Sequence, residues 1–410
     1  MANTYLTRSL SSTSTSWTFS AWVKRGSNLG VTNYFISWGN SGTDATGIGF
    51  NTSDKFQYYS EDNPSNINAV SNGVYRDTSG WYNFVCSCNA GAITLYTNGE
   101  TVGSTTGGNA LDTSTMAIGK WVTSAYYHDG SMSHVNFIDG TAYDATAFGE
   151  TDATTGEWKI KTSPSVTYGT NGFFILKDGN SVTDQSTNTN NFTVGGGTLT
   201  NTEDSPSNVF AVMNNLDTYN SPTITNGNTV INAGASDKSL RSTLGFSQGK
   251  YYWEVKIIPN NSAYLGIINS EKALAVGYDL SVASTNSVVF NANGGELKKN
   301  GSTVATYSTS GNATYGFAFD LDAGTLKLSK DGVFFNSGNA VVTGISADTY
   351  LPLFAPNGGG SPTEFQVNFG NGYFGTTAVS SAGTNASGIG IFEHDVPENF
   401  TALSTKGLNL

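Results

Sequence analysis

The sequence predicts an all-β fold with many turns, and three observations support this fold class. The 410 residues include 49 glycines and are rich in Ser, Thr and Asn, which favour turns and disfavour helices. Aromatic residues make up 12% of the chain, which is enough to fill large cores and argues against global disorder. Alternating runs such as Trp17–Lys24 recur along the chain and are typical of strands. The length favours about two or three domains.

The charge pattern and the cysteines exclude several kinds of protein. The net charge of −12 provides no cationic surface, so we expect no nucleic-acid partner. No run approaches the roughly 18 consecutive apolar residues of a membrane helix, so we expect no membrane insertion. Cys86 and Cys88 lie on one face of a strand-like run and are expected to be small buried apolar residues. The first residues contain no secretory signal, which together with the thiols favours folding in a cytoplasm.

A first cluster of strand signals lies before residue 160 and contains six of the seven tryptophans. In chain order its predicted strands are Trp17–Lys24, Trp81–Cys88, Ala92–Tyr96, Met116–Gly119 and Met132–Ile138. Asn98 and Gly99 follow the third of these and predict a two-residue hairpin turn. Apolar density then falls from about Lys177 to Ser236, a region that we interpret as a linker with one or two short strands.

A second cluster of strand signals begins at Lys250. Its predicted strands are Lys250–Ile257, Tyr315–Leu321, Thr325–Lys330, Val333–Phe335, Tyr350–Phe354 and Phe365–Phe369. Asp331 and Gly332 predict a second hairpin turn. Beyond Gly375 the chain is rich in Ser, Gly and Ala, and we interpret it as a tail that becomes apolar again at Ile389.

Segments of both clusters resemble known families. In the first cluster the segments are Phe19–Lys24, Trp81–Val85, Ile93–Gly99 and Asp129–Val135. In this order they resemble the concanavalin A-like, laminin G-type jelly roll.

In the second cluster the segments are Lys250–Val255, Val276–Asp279, Tyr315–Asp320, Lys330–Val333, Leu351–Phe354 and Phe365–Gly370, which resemble a SPRY domain. The resemblance implies two β-sandwich domains, at residues 1–175 and 236–375, joined by a polar linker at 176–235 and followed by a tail at 376–410.

Further segments resemble virion proteins of marine tailed phages. These segments are Tyr5–Arg8, Phe148–Thr151, Thr167–Phe174 and Asn190–Thr193. A jelly roll joined to a SPRY domain also resembles phage tail-fibre-like proteins. The resemblance implies synthesis in the host cytoplasm and a location on the virion surface. It also implies contacts with other virion proteins, a homo-oligomer, and a host-surface glycan as ligand.

No catalytic residues are predicted, so we do not expect an enzyme. The concanavalin A-like fold also includes glycanases, which need paired carboxylates at fixed spacing on a strand. The nearest match consists of Glu150, Asp152 and Glu157, but the last residue is out of register and glycines flank the run. We therefore interpret it as a solvated loop. Of the three histidines, His128 and His134 lie six apart, which suits neither a Ser-His-Asp triad nor a pair of metal ligands.

A calcium ion is the one cofactor that the sequence leaves open. Calcium takes oxygen ligands from irregular loops, and Asp139 and Asp144 are candidate ligands, with Asn136 near them. No EF-hand spacing is present, and ordinary turn-forming aspartates are the alternative interpretation.

A saccharide site needs an exposed aromatic ring for the C–H face of a pyranose, flanked by polar groups. The candidate residues with this composition are Trp38, Asn40, Trp121, Tyr126, Tyr127, His128 and Asp129. The last four form the best single candidate, because consecutive aromatic residues in an extended chain cannot all face the core. Tyr58 and Tyr59, beside Glu61, Asp62 and Asn63, have a similar composition.

Together these observations favour a non-enzymatic, tail-fibre-like protein of a virion surface. Its jelly roll would recognise a host glycan, and its SPRY-like domain would contact virion or host proteins. Two alternatives stay open: a head-decoration or tail-connector protein that binds no ligand, and a glycan-degrading enzyme. A selective glycan ligand would separate the first interpretation from the second, and polysaccharide turnover would support the third.

Overall fold

The chain divides into two compact units, Met1–Asn201 and Thr202–Leu410. The computed structural model describes residues 3–41, 43–62, 66–177, 181–232, 234, 236–258, 263–276, 279–281, 286–309, 312–356 and 364–410. Asn63, Gly277 and Tyr278, which the sequence patterns above include, lie outside the described residues. Among the residues that the structure describes, no helix is long and apolar enough to cross a membrane.

The first unit is built from short strands. In chain order these are β1 (Tyr5–Ser9), β2 (Trp17–Arg25), β3 (Asn33–Ser41), β4 (Asp44–Phe50), β5 (Phe56–Asp62), β6 (Ile67–Val70), β7 (Trp81–Asn89), β8 (Ala92–Thr97), β9 (Glu100–Thr105), β10 (Thr115–Ile118), β11 (Gly130–Asp139), β12 (Gly149–Thr151), β13 (Trp158–Ile160), β14 (Phe173–Ile175) and β15 (Thr193–Gly196). A 3-10 turn, Ala145–Ala147, precedes β12.

Two antiparallel sheets of this unit enclose one core. Sheet A has the order β15-β1-β10-β3-β4-β5-β6, sheet B has the order β14-β11-β2-β7-β8-β9, and β12 pairs with β13 in a separate hairpin. Trp17, Phe35 and Phe84 lie in the core with no solvent exposure. Cys86 and Cys88 are buried among them as free thiols, which confirms the prediction for both.

The second unit is also built from strands. These are β16 (Met213–Tyr219), β17 (Thr223–Thr225), β18 (Val230–Asn232), β19 (Ser239–Ser242), β20 (Lys250–Ile258), β21 (Ala263–Asn269), β22 (Ser287–Asn291), β23 (Glu296–Lys299), β24 (Ser302–Thr306), β25 (Thr314–Asp320), β26 (Thr325–Lys330), β27 (Val333–Phe334), β28 (Tyr350–Pro356), β29 (Glu364–Asn368), β30 (Tyr373–Phe374), β31 (Thr377–Ala378) and β32 (Thr401–Ala402). The described part of the unit also contains two 3-10 turns, Asn336–Gly338 and Gly407–Asn409.

Sheets C and D of this unit enclose a second core. Sheet C has the order β16-β19-β28-β21-β22-β23-β24, and sheet D has the order β17-β18-β29-β20-β25-β26-β27 with β32 parallel to β20. Trp253 on β20 is fully buried and stacks on Phe317 at 5.9 Å and on Phe319 at 5.3 Å between ring centroids. The predicted fold class, all-β with two β-sandwich domains, is confirmed.

Both hairpin turns predicted from the sequence are present. Asn98 and Gly99 connect β8 to β9 with φ angles of 48° and 88°. Asp331 and Gly332 connect β26 to β27 with φ angles of 50° and 79°. The two positive φ angles match the right-handed twist of the flanking strands, and Asn, Asp and Gly adopt them at little cost.

Residues 176–235, which we predicted as a linker, are divided between the two units. Strand β15 pairs with β1 at the edge of sheet A, and Phe192 packs against Phe173 with ring centroids 4.7 Å apart. Strands β16 and β18 belong to sheets C and D. These polar segments satisfy their backbone groups by pairing with sheet edges. The boundary therefore differs from the predicted one and falls after Asn201.

The predicted tail is part of the second unit. Phe392, Val396 and Phe400 are buried and cover Tyr252 and Ala318 on the outer face of sheet D. This packing removes apolar surface of both the tail and sheet D from water, which is favourable.

The last strand of the second unit lies beside the segment where this unit begins. The Ala211 amide donates a hydrogen bond to the Leu403 carbonyl at 2.9 Å, and the Thr405 amide donates to the Val209 carbonyl at 2.9 Å. A segment near the start of the unit therefore lies beside a segment near its end.

Candidate functional site

An aromatic cluster lies on the face of sheet A that is turned away from the core. Tyr34 on β3 and Tyr59 on β5 point outward, whereas the adjacent Tyr58 points into the core, because successive strand side chains alternate. The Trp121 ring lies 4.5 Å from Tyr34 and 6.0 Å from Tyr59, and the Tyr126 ring lies 6.4 Å from Tyr34. We call Tyr34, Tyr59, Trp121 and Tyr126 the outer aromatic cluster.

Gly47 on the intervening strand β4 makes room for this cluster. It pairs with Tyr59 in the register of β4 and β5. A Cβ atom at Gly47 would lie 2.5 Å from Cζ3 of Trp121 and 2.6 Å from Cδ1 of Tyr34, closer than van der Waals contact allows. The Trp121 and Tyr34 rings can therefore approach β4 this closely only because residue 47 has no side chain.

The loop after β10 exposes one ring of the cluster. The Trp121 amide donates to the Tyr126 carbonyl at 3.3 Å, and the His128 amide donates to the Gly119 carbonyl at 2.9 Å, which closes the loop. Trp121 is 3% exposed, whereas Tyr126 is 51% exposed. Tyr126 thus offers an accessible aromatic surface above a layer of buried rings.

Tyr127 is half-buried and packs sideways against the first strand. Its ring centroid lies 6.1 Å from that of Tyr5. The Lys120 ammonium lies 4.5 Å from the Tyr5 centroid and 5.7 Å from the Tyr127 centroid. Tyr127 therefore belongs to the border of the site.

His128 points into the protein, which corrects the prediction that its side chain contacts a glycan. Its ring is perpendicular to Phe35 at 5.2 Å, and Nδ1 lies 3.2 Å from Oδ1 of Asn33. Burial, with a smaller effect of Arg25, lowers the pKa of His128 to about 3, so the ring is neutral at pH 7. Its Nε2 is buried without a hydrogen-bond partner among the described residues.

The other predicted glycan contacts occupy three different environments. Trp38 is 2% exposed and lies in the core against Trp17 at 5.1 Å, so it is corrected to a core residue. Asn40 is exposed near the end of β3. Asp129 is half-buried and accepts a hydrogen bond from the Asn28 amide at 2.9 Å. Burial raises the pKa of Asp129, and the Asn28 amide opposes this effect.

Hydrogen-bonding groups surround the cluster. Asn66, which is exposed, donates to the Tyr59 hydroxyl at 2.9 Å. Burial and, to a smaller extent, the Glu61 carboxylate raise the pKa of Tyr59, and burial likewise raises the pKa of Tyr34. The phenols therefore stay protonated, and a ligand would meet neutral rings bordered by an amide and a carboxylate.

The two candidate calcium ligands bind protein groups. Oδ2 of Asp139 accepts from the Asn171 amide at 2.9 Å and from the Ser12 hydroxyl at 3.3 Å. Oδ1 of Asp144 accepts from the Thr146 amide at 2.9 Å and caps the 3-10 turn. No group of three or more His, Cys, Asp or Glu side chains in the described residues is placed to hold a metal ion.

The carboxylates at residues 150–157 lie in and around a hairpin turn. Oδ1 of Asp152 accepts from the Thr154 amide at 2.9 Å and the Thr155 amide at 2.8 Å. Its other oxygen pairs with Lys159. The Lys159 contact and these hydrogen bonds lower the pKa of Asp152, and Lys159 has the largest effect. The carboxylate thus stabilises the turn between β12 and β13.

Tyr34 and its contact with Tyr126 were not predicted from the sequence. The available signal was the alternation of β3, in which Tyr34 precedes the inward Phe35. Recognising a shared outer face also requires the register of three strands, in which Tyr34 pairs with Gly49 and Gly49 with Gln57.

Residues 2–146 match the laminin G family model of the concanavalin A-like lectin/glucanases superfamily. This match confirms the concanavalin A-like part of the predicted resemblance. The comparison with curated proteins gave no match.

The solved structures with similarity to this chain include SPRY domains. The SPRY domain of human HERC1 is 15% identical with a TM-score of 0.32, covering 38% of this chain and 96% of that chain. The PSpry domain of TRIM65 is 12% identical with a TM-score of 0.31, covering 38% and 88%. A heptameric SAP-like pentraxin from Limulus polyphemus is 16% identical with a TM-score of 0.29, covering 34% and 71%.

Proposed function

We propose that the chain is a non-enzymatic, saccharide-binding protein of a virion surface, with a tail-fibre-like role. The observation that carries the saccharide proposal is the exposure of Tyr126 on a bed of buried aromatic rings. An aromatic face binds the C–H face of a sugar through dispersion and burial of apolar surface, and it requires no charge. Asn66 and Glu61 at the border supply hydrogen-bonding groups for sugar hydroxyls.

The proposed virion role rests on the sequence resemblance, and one feature of the second unit is compatible with it. Val304, which is 47% exposed, lies on β24 at the edge of sheet C. An edge strand presents unpaired backbone groups that favour contact with another chain. We therefore include contacts with virion proteins or with a second copy of the chain in the proposal, together with a location on the virion surface.

The test of saccharide binding is a glycan array followed by titration of the best ligand. We expect Tyr126→Ala to weaken binding of that ligand at least about tenfold with little change in Tm, because the ring is mostly exposed. Val194→Ala is the matched control, since Val194 is 47% exposed in the same unit but lies on β15.

Three results would contradict the proposal. A selective glycan whose affinity is the same for Tyr126→Ala and the wild type would remove the outer aromatic cluster as its site. An array without any selective ligand would favour the alternative, a head-decoration or connector protein. Turnover of soluble polysaccharides would instead support a glycan-degrading enzyme.

A further inference from the structure

The sequence contains a chemically reactive dipeptide, Asn followed by Gly, at eight positions. In this dipeptide the main-chain nitrogen of Gly can attack the side-chain carbonyl carbon of Asn, because Gly has no side chain to hinder the approach and restricts the backbone least. The attack requires that the Asn side chain and the peptide unit between the two residues can both move. One of the eight dipeptides, Asn357–Gly358, lies outside the described residues.

In three of these dipeptides a hydrogen bond holds the Asn side chain. In each of them Oδ1 accepts from a main-chain amide elsewhere in the same unit, which fixes the carbonyl carbon that would be attacked. The donors are the Asn83 amide to Asn98 at 2.8 Å, the Ser11 amide to Asn171 at 2.8 Å and the Ser287 amide to Asn300 at 3.0 Å.

In three further dipeptides a hydrogen bond holds the peptide unit between Asn and Gly. Because the C=O and N–H groups of one peptide unit are coplanar, a bond to either group fixes the nitrogen that would attack. The bonds are those from the Gly294 amide to Oδ1 of Asn291 at 3.2 Å, from the Gly372 amide to Oδ1 of Asn368 at 3.2 Å and from the Thr229 hydroxyl to the Asn226 carbonyl at 2.7 Å.

Asn72–Gly73, in the segment between β6 and β7, has neither restraint. Both residues are exposed. Within the described part of the chain, no hydrogen bond involves the Asn72 side chain, the Asn72 carbonyl or the Gly73 amide. The Asn72 amide donates to the Val102 carbonyl at 2.9 Å, and the Ser71 hydroxyl donates to the Gly73 carbonyl at 2.8 Å. These two bonds hold the segment in place and leave the reacting groups free.

We propose that Asn72 is a site of spontaneous deamidation. Hydroxide removes the proton of the Gly73 amide, and the nitrogen then forms a bond to Cγ of Asn72. The bond from Cγ to the side-chain nitrogen breaks, and this nitrogen takes a proton from water and leaves as ammonia. The product is a cyclic succinimide. Water adds to one of its two carbonyl carbons and opens the ring, which gives aspartate or isoaspartate at residue 72. The proposal does not depend on saccharide binding.

The modified residue would lie at the contact between the two sheets of the first unit. Strand β6 is the edge of sheet A and β9 is the edge of sheet B, and the Asn72 amide connects them through the Val102 carbonyl. Both products add a negative charge at an exposed position. In isoaspartate the main chain also runs through the side-chain carbon, which lengthens the chain before Gly73. We expect the isoaspartate form to loosen the contact between β6 and β9.

The experiment is peptide mapping of the full chain by mass spectrometry after incubation in mildly alkaline buffer. The buffer is made with water enriched in the heavy oxygen isotope, which labels only rings opened during the incubation. We expect Asn72 to be converted at least about tenfold faster than Asn in the other described Asn-Gly dipeptides, because each of these must first open locally. In urea the rates should converge, because unfolding removes the protecting hydrogen bonds.

Two variants test the assignment. Gly73→Ala should slow the conversion of Asn72 about tenfold, because the methyl group hinders the attacking nitrogen. It should leave Tm unchanged, since a Cβ atom at this position meets only the Tyr75 hydroxyl, at 3.9 Å. Asn291→Ala removes the acceptor of the Gly294 amide and should speed the conversion of Asn293, which is exposed like Asn72.

Three outcomes would overturn the proposed site: Asn72 is not converted in the folded chain, it is converted no faster than the other described dipeptides, or Gly73→Ala is converted at the wild-type rate. Anion exchange separates the modified chain by its added charge. Faster hydrogen exchange of peptides that cover β9 in the modified chain would support the loosened contact between the sheets, and equal exchange would reject it.

Discussion

The exposed ring of the outer aromatic cluster is positioned by residues that are themselves buried. Tyr34, which is 4% exposed, contacts both Trp121 and Tyr126. The orientation of Tyr126 therefore depends on how closely Trp121 approaches the sheet, and this approach is controlled by the absence of a side chain at Gly47. A substitution at residue 47 would therefore shift Trp121 and Tyr34 and, through them, the exposed Tyr126 ring.

We expect Gly47→Ala to destabilise the first unit by about 1–3 kcal/mol, because the new methyl group overlaps with Trp121 and Tyr34 and neither ring can yield without moving the other. Gly73→Ala is the control, since a Cβ atom there meets only the Tyr75 hydroxyl, at 3.9 Å. Urea unfolding of both variants measures the difference. Equal stability of the two variants would mean that the cluster accommodates the methyl group.

At the residue scale, the sequence predicts which residue types form the cluster better than it predicts the direction in which each side chain points. Because consecutive aromatic residues in an extended chain cannot all face the core, an exposed ring in the Tyr126–Asp129 segment was predictable from the sequence. That Tyr126 is this ring and that His128 packs against Phe35 were not predictable, because both depend on the hydrogen bond between the His128 amide and the Gly119 carbonyl. Trp38 was misassigned for a related reason, since the face of a strand is defined only when the sheet is formed.

At the scale of elements, a buried carboxylate on β20 holds the last segment of the chain on sheet D. Glu254 has no solvent exposure, and its two oxygens accept from the Glu393 amide at 2.9 Å and the His394 amide at 2.8 Å. The Tyr252 hydroxyl and the Asn368 side chain also donate to it, at 3.2 Å and 3.3 Å. Burial raises the pKa of Glu254 to about 7, the hydrogen bonds oppose this rise, and the Glu393 carboxylate adds to it.

We expect this carboxyl group to make the second unit less stable as the pH rises. Its pKa in the folded state, about 7, exceeds the ordinary value of 4.5, so the folded state binds the proton more tightly. Its stabilising contribution is complete below pH 4.5 and is lost as the pH rises to about 7, which corresponds to at most about 3 kcal/mol.

Glu254→Gln should flatten this pH dependence of the unfolding free energy, although its overall stability should be lower, because an amide nitrogen would replace an acceptor oxygen facing N–H donors. Glu271→Gln, at an exposed position in the same unit, is the control and should retain the wild-type slope. A slope in Glu254→Gln equal to that of the wild type would show that Glu254 does not cause the pH dependence.

The strands with strong alternation were predictable, and the polar elements were not. Strands β2, β7, β20 and β25 follow from the alternation of aromatic and polar residues and from their flanking turns. Strands β15 and β16 contain Thr, Gly and Asn, and they exist because a neighbouring strand offers backbone partners. Such elements have little signal of their own, so the sequence predicted one or two short strands in residues 176–235 without locating β15 or β16.

At the scale of the whole molecule, each unit has its own aromatic core, and Trp253 lies within that of the second. We expect Trp253→Ala to cost about 3–5 kcal/mol, because it removes a fully buried ring that stacks on both Phe317 and Phe319. Hydrogen exchange of peptides that cover β25 measures the loss locally. Leu216→Ala, a residue 60% exposed in the same unit, is the control, and a loss below about 1 kcal/mol in Trp253→Ala would contradict the core assignment.

Two segments near the start and the end of the second unit lie side by side, because the Ala211 amide is hydrogen-bonded to the Leu403 carbonyl. The unit could therefore be joined to another protein through these two neighbouring segments, and circular permutation should be tolerated. Such geometry allows a β-sandwich to be gained, lost or exchanged in evolution without rebuilding the protein that carries it.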